Sequence, residues 1–235
     1  METQQTVRKL FNDKAQSWAQ KYAVNGALVQ RLETIVIRVM PMVPPRSKVL
    51  DLGCGNGALA ARLASHAFQV YACDVADKMI DEGKRLYPST EIEWTKLQHD
   101  WKILPFPPSY FDAIIAASVF EYVQDPARIL DECSRTLKPG GKLLFTIPNP
   151  KGLLRQVEKL LRPVALRVID SPLSRLNLRV NHYLTYLIVS SNRFSVQQWE
   201  VLAKRSNLSD TCGNRERLIQ CGKYMLLLCV EKDTT

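Results

Sequence analysis

Three glycines on alternate positions close the run VLDLGCGNG, Val49 to Gly57, directly after an apolar stretch of strand length. A glycine turn at the carboxyl end of a buried strand lets the backbone reverse tightly and lets a ligand come closer than any Cβ would allow. Two acids frame it, Asp51 just before the turn and Asp74 about 20 residues on. Gly53, Gly55 and Ala58 also satisfy the GxGxxA pattern of nicotinamide dinucleotide sites, so an NAD-dependent oxidoreductase is the competing reading. Against it, the Asp51 carboxylate would repel a pyrophosphate, and Gly57 is a glycine that the dinucleotide pattern does not require. A cationic ligand without phosphate suits the turn better.

Three further stretches follow in order: VYACDVADKMI, HDWKILPFPPSYFDAIIAASVFEYVQDPARIL and LKPGGKLLFTIPN. With the glycine turn they make the chain resemble class I methyltransferases over about residues 11 to 148. The similarity is greatest to the small-molecule branch that includes the ubiquinone and menaquinone methyltransferases. The resemblance implies S-adenosylmethionine as methyl donor, S-adenosylhomocysteine as product and a small-molecule acceptor, lipid-soluble or a natural-product intermediate. It also implies that Asp51, Gly53, Cys54, Gly55 and Gly57 cradle the donor, that Asp74 accepts from both ribose hydroxyls, and that Val75 and Met79 flank the adenine. Asp100 falls at the family's acidic position near the adenine amino group, with Trp101 beside it as a departure, and Ala117 closes the set at the end of the fourth strand. The N-terminal segment FNDKAQSWAQKY resembles the family's cover helix, which brings in Trp18 and Tyr22.

Transfer from a sulfonium is an in-line displacement of an activated group, so it needs alignment and dryness rather than a metal. A base matters only for a hydroxyl or a protonated amine. Many relatives have a Glu-His pair where this chain reads Glu121-Tyr122, leaving Tyr122 and His182, in an inserted segment, as the catalytic candidates.

Strand-length runs at Lys48 to Leu52, Gln69 to Cys73, Glu91 to Thr95, Phe111 to Ala117 and Lys142 to Ile147 alternate with helically spaced segments. This alternation predicts a doubly wound, mostly parallel α/β sheet, seven-stranded once late strands near Leu208 to Cys212 and Tyr224 to Val230 are added. One domain accommodates the 235 residues: an N-terminal helical cover (1–45), a cofactor-binding core (46–148), a helical lid insertion (149–192) and a last helix with C-terminal strands (193–235). Ser195 reads as the cap of that helix.

The composition is that of a globular protein, with 46% hydrophobic and 23% charged residues. Six cysteines without CxxC or zinc spacing read as reduced packing residues, and no metal is expected. The absence of a signal core or of ~18 successive apolar residues points to the cytoplasm. The net charge of +9 concentrates between Lys151 and Val180, where seven basic residues face two acids. There Leu153, Leu154, Val157, Leu160, Leu161, Val164 and Val168 follow helical spacing, with Arg155, Lys159 and Arg162 on the other face and Pro163 expected to divide the helix in two. A basic amphipathic lid could close over the substrate or touch a membrane interface. Action on RNA is a weaker alternative, since no RNA-binding module is present.

Overall fold

The structure, a computed structural model, describes residues 2–22, 26, 28–88, 90–169, 171, 177–209, 218–221 and 224–234. Cys212, Asp170, Arg175 and the end of the strand expected to Cys212 lie outside the described residues.

Strands β1 (Lys48–Leu52), β2 (Gln69–Asp74), β3 (Ile92–Lys96), β4 (Phe111–Ala116) and β5 (Leu137–Pro148) lie parallel in the order β3-β2-β1-β4-β5. After them come β6 (Leu208–Ser209), β7 (Leu218–Cys221) and β8 (Met225–Lys232). β8 runs antiparallel on β5, and β6 and β7 pair with the two ends of β8's other edge. The sheet is therefore mostly parallel and seven strands wide by position, with the last position shared by two short strands.

Alternation along the strands sorts side chains to two helical layers. Leu50, Leu52, Ile114, Ala116, Leu143 and Phe145 pack in one core with α6 (Pro126–Thr136) and with Trp199 of the last helix (Val196–Arg205). Val49, Ala113, Ile115 and Leu144 pack in the other with α3 (Val29–Val39) and α4 (Ala58–Ala64). Helix α5 (Asp77–Leu86) joins β2 to β3. Local chemistry sets the helix starts. Asp125 accepts the Arg128 N–H with Pro126 at the first helical position of α6, and Ser195 with Gln198 forms a reciprocal capping box at the last helix.

The N-terminal cover comprises α1 (Glu2–Asn12), α2 (Ala15–Trp18) and a 3-10 turn, Ala19–Tyr22. The lid comprises α7 (Leu153–Val168) and α8 (Leu178–Val189), and α9 is the last helix. α7 packs on α8, and α8 packs on α1, so lid and cover meet each other over the sheet.

Three local expectations are corrected. β5 begins at Leu137 and not at Lys142, because a register shift between Phe111 and Ala113 and the left-handed Gly140 (φ +73°) absorb the extra residues. Pro163 does not divide α7, which runs continuously through it. The N–H that proline lacks would have faced the carbonyl of Lys159, an exposed residue, where water can take its place.

The third correction is to the facing of α7. Its inward side buries Arg155 and Glu158 (8% and 3% exposed) with Ala165, while Leu153, Leu160 and Val164 stand 81%, 77% and 52% exposed. Arg155 donates to Glu158 Oε2 at 2.9 Å and to Ser190 Oγ at 3.2 Å. Ion pairing made the guanidinium the inward group, and the apolar stripe was left outside. The described cysteines, Cys54, Cys73, Cys133, Cys221 and Cys229, are reduced thiols. No helix among the described residues is long and apolar enough to cross a membrane.

Candidate donor and acceptor cavity

A cavity of about 370 Å³ opens at the carboxyl ends of β1, β2 and β4. This is where the strand order reverses, the place at which such sheets leave a crevice. Its floor is the turn after β1. Gly53 (φ +70°) and Gly55 (φ +56°) hold left-handed backbone, and both line the cavity. A Cβ on Gly53 would fall 2.4 Å from Val119 Cγ2, and one on Gly55 would meet Trp18 Nε1 at 3.4 Å.

Gly57 (φ +75°) caps α4, and the Trp94 ring fills the space beside it, so its role is packing beneath the turn. Three hydrogen bonds tie the turn to β2. Gly53 and Cys54 N–H donate to the Cys73 carbonyl at 2.8 and 3.0 Å, and Gly55 N–H donates to Asp74 Oδ2 at 2.8 Å.

Asp51 is 1% exposed, lines the cavity, and its Oδ2 has no partner among the described residues. Burial, and then the Asp74 charge, push its carboxyl up to about 7. Asp74 accepts from Gly55 N–H on one oxygen and from Ala76 N–H at 2.8 Å on the other. Burial raises its pKa while those donors oppose the rise. Each carboxylate oxygen keeps a free lone pair, so the helix-end contact and a cavity ligand are compatible.

Arg31, which sequence reasoning did not single out, supplies a cation at the same cavity and donates to Ser118 Oγ at 2.8 Å. Ser118 holds left-handed backbone (φ +57°), and its N–H is anchored on Thr146 Oγ1.

Trp18, Tyr22, Cys54, Val75, Trp101, Ala117 and Tyr122 also line the cavity. Met79 does not. It is fully buried against Ala15 and Ala76, with Phe11 and Trp18 packed on that cluster. Asp100 points to solvent (side chain 51% exposed), and the wall position at that loop belongs to its neighbour His99. His182 lies off the cavity on α8, with Nε2 buried and without a partner among the described residues.

At the lid end the walls are Glu121, Tyr122, Tyr186, Leu154 and Val123. Burial, then the Glu121 charge, raise the Tyr122 phenol well above its usual range, so it is a hydrogen-bond donor at neutral pH and not a base. Glu121 is 5% exposed and accepts from Ser190 Oγ at 3.3 Å. Burial raises its proton affinity against the pull of Arg155 and Arg31. The sequence signal for it was present, as the Glu of the Glu-Tyr pair, but its burial beside the cavity depends on α8.

The model of a methyltransferase domain matches residues 50–145, the stretch that builds the glycine turn, Asp74 and the β4 wall. Residues 50–145 are thus similar to a methyltransferase domain. The ubiquinone biosynthesis O-methyltransferase of Coxiella burnetii is 36% identical over 101 residues, 43% of each chain. The chain thus matches less than half the length of such curated relatives.

Solved methyltransferase folds align over more of it. The magnesium protoporphyrin IX methyltransferase from Synechocystis PCC 6803, with S-adenosylhomocysteine bound, has a TM-score of 0.67 at 17% identity over 97% of this chain and 98% of that one. An S-adenosylmethionine-dependent methyltransferase from Aquifex aeolicus has a TM-score of 0.58 at 17% identity over 85% and 88%. Residues of the cavity fit that donor. Asp51 offers an unpaired buried carboxylate oxygen for an ammonium, Arg31 a cation for a carboxylate, and Gly53 and Gly55 an approach without Cβ atoms.

Proposed function

We propose that the protein transfers a methyl group from S-adenosylmethionine to a small-molecule acceptor held at the lid end of the cavity. The carrying observation is Asp51, a buried carboxylate with an orphan oxygen on the floor of a glycine turn. A buried acceptor left unpaired is costly, and a ligand ammonium removes the deficit. The same carboxylate, with Asp74 beside it, opposes a pyrophosphate and speaks against the oxidoreductase reading.

S-adenosylmethionine supplies a methyl group on a sulfonium, already activated toward a nucleophile. Asp51 and Arg31 would hold the zwitterionic end of the donor, and Asp74 the ribose hydroxyls. Trp18, Val75, Leu97 and Trp101 supply apolar wall, which excludes water and fixes the approach. At the other end Tyr122 orients the acceptor by donating a hydrogen bond. Glu121 is the carboxylate able to take the acceptor's proton, its basicity raised by burial. The apolar walls at that end, Leu154 of the lid and Val123 of the β4–α6 loop, select a largely apolar acceptor.

Calorimetry with S-adenosylhomocysteine and with NAD, followed by incubation with labelled donor and a fractionated host extract, tests this. Binding of the nucleoside product and label in a small molecule are expected. Binding of NAD alone would overturn it.

A further inference from the structure

The outward face of α7 is apolar. Leu153, Val157, Leu160 and Val164, spaced four, three and four residues apart, form one stripe at 81%, 41%, 77% and 52% exposure. A helix facing water turns such a stripe inward. Here the inward side instead holds the Arg155–Glu158 pair, with Arg193 3.9 Å from the same Glu158 oxygen. Burying an ion pair while leaving aliphatic side chains outside is the arrangement of a helix whose outer surroundings are not water. Val180 and Tyr183 of α8 extend the exposed apolar area at 47% and 41%.

Charge decides what those surroundings are. Lys159, Arg167 and Arg179 are exposed on the same two helices. Among the described residues from 151 to 190, the sole acid is Glu158, and it is buried. A second copy of this face would set these cations against themselves, whereas an anionic bilayer surface accepts both the cations and the aliphatic stripe. We propose that α7 and the first turns of α8 form a docking face that lies in the interfacial layer of an anionic membrane.

Leu154 belongs to α7, is 41% exposed and also lines the cavity, so the docking face adjoins the acceptor end. An acceptor dissolved in the bilayer would enter there. That consequence rests on the methyl-transfer reading, while the docking face rests on α7 itself.

The test uses the full chain, sedimented with vesicles of phosphatidylcholine alone or of equal parts phosphatidylcholine and phosphatidylglycerol. Wild type should pellet with the anionic vesicles. The Leu153→Gln/Leu160→Gln/Val164→Gln variant should lose at least about tenfold in partitioning, and Lys159→Gln/Arg167→Gln should reduce it in the way added salt does. Both variants should keep wild-type S-adenosylhomocysteine affinity, which shows that the fold and cavity are intact.

Wild type left in the supernatant with both vesicles, or a triple variant that pellets like wild type, would overturn the docking face. So would a self-associated wild type that ignores vesicles and that the triple variant dissociates, since a second copy would then occupy the stripe. Vesicle binding without any nucleoside binding would retain the docking face and defeat the methyl-transfer reading instead.

Discussion

Asp51 couples ligand binding to protonation, and the coupling has a definite sign. Its folded pKa of about 7 lies above the ordinary 3.8, so the protonated form is the one favoured by folding. Its contribution to stability is complete below pH 3.8 and is lost as the pH rises through about 7. Ligand affinity runs the other way, because an ammonium needs the ionised carboxylate. S-adenosylhomocysteine affinity should therefore weaken about tenfold per unit as the pH falls below the Asp51 pKa. Asp51→Asn should weaken binding by about 2 kcal/mol at pH 8 and flatten that pH profile, as calorimetry across pH would show.

Glu121 is tested separately, through turnover. Glu121→Gln keeps the shape, so product binding should stay at the wild-type value while kcat falls about a hundredfold or more and loses its rise with pH. An unchanged kcat would reduce Glu121 to a wall residue.

At the scale of elements, α7 is held by charge rather than by its aliphatic side chains. Glu158 is 3% exposed and faces two guanidinium groups, Arg155 at 2.9 Å and Arg193 at 3.9 Å. Glu158→Gln removes the carboxylate that both guanidinium groups face, and urea unfolding of the full chain should show a loss of about 3 kcal/mol. Lys159→Gln, one residue on but exposed, should change stability by less than about 0.5 kcal/mol. Equal effects of the two substitutions would mean that the lid is not anchored through Glu158. The cover is held by both kinds of contact: Arg8 and Asn12 donate to Asp77 Oδ1 at 3.1 and 2.8 Å, and Phe11 lies edge-on to both Trp18 and Tyr122 at 5.6 and 5.3 Å, which ties α1 to α5 and to the cavity wall.

Across the whole molecule, the cavity is closed by elements far apart in sequence. Phe11 and Trp18 come from the cover, Asp51 and Asp74 from the sheet, and Leu154 and Tyr186 from the lid. A ligand bound at their junction should slow hydrogen exchange in α1, α2, α7 and α8 as well as in the glycine turn. S-adenosylhomocysteine at a hundredfold excess over its dissociation constant should add about 2.7 kcal/mol to global stability. Exchange protection confined to the glycine turn and the β2–α5 junction would show that cover and lid do not close on the donor.

The strand and helix alternation, the glycine turn and the Ser195 cap were legible in the sequence because each is encoded within a few residues. Strand periodicity, the backbone freedom of Gly53 and Gly55, and a side chain bonding its own helix start need no distant partner. Of the residues proposed to hold the donor, Asp51, Asp74, Trp18 and Trp101 line the cavity. Arg31 and Glu121 were not foreseen, because each acquires its position from a remote contact, Ser118 for one and Ser190 for the other. Met79 shows the converse: the same residue could line a ligand or a core, and packing against Ala15 and Ala76 decided it.

α7 is the sharpest case. Its periodicity determined that one face is apolar and the other charged. Which face turns inward was a tertiary decision, made when Arg155, Glu158 and Ser190 found one another across the fold and satisfied a buried ion pair that no local pattern encodes.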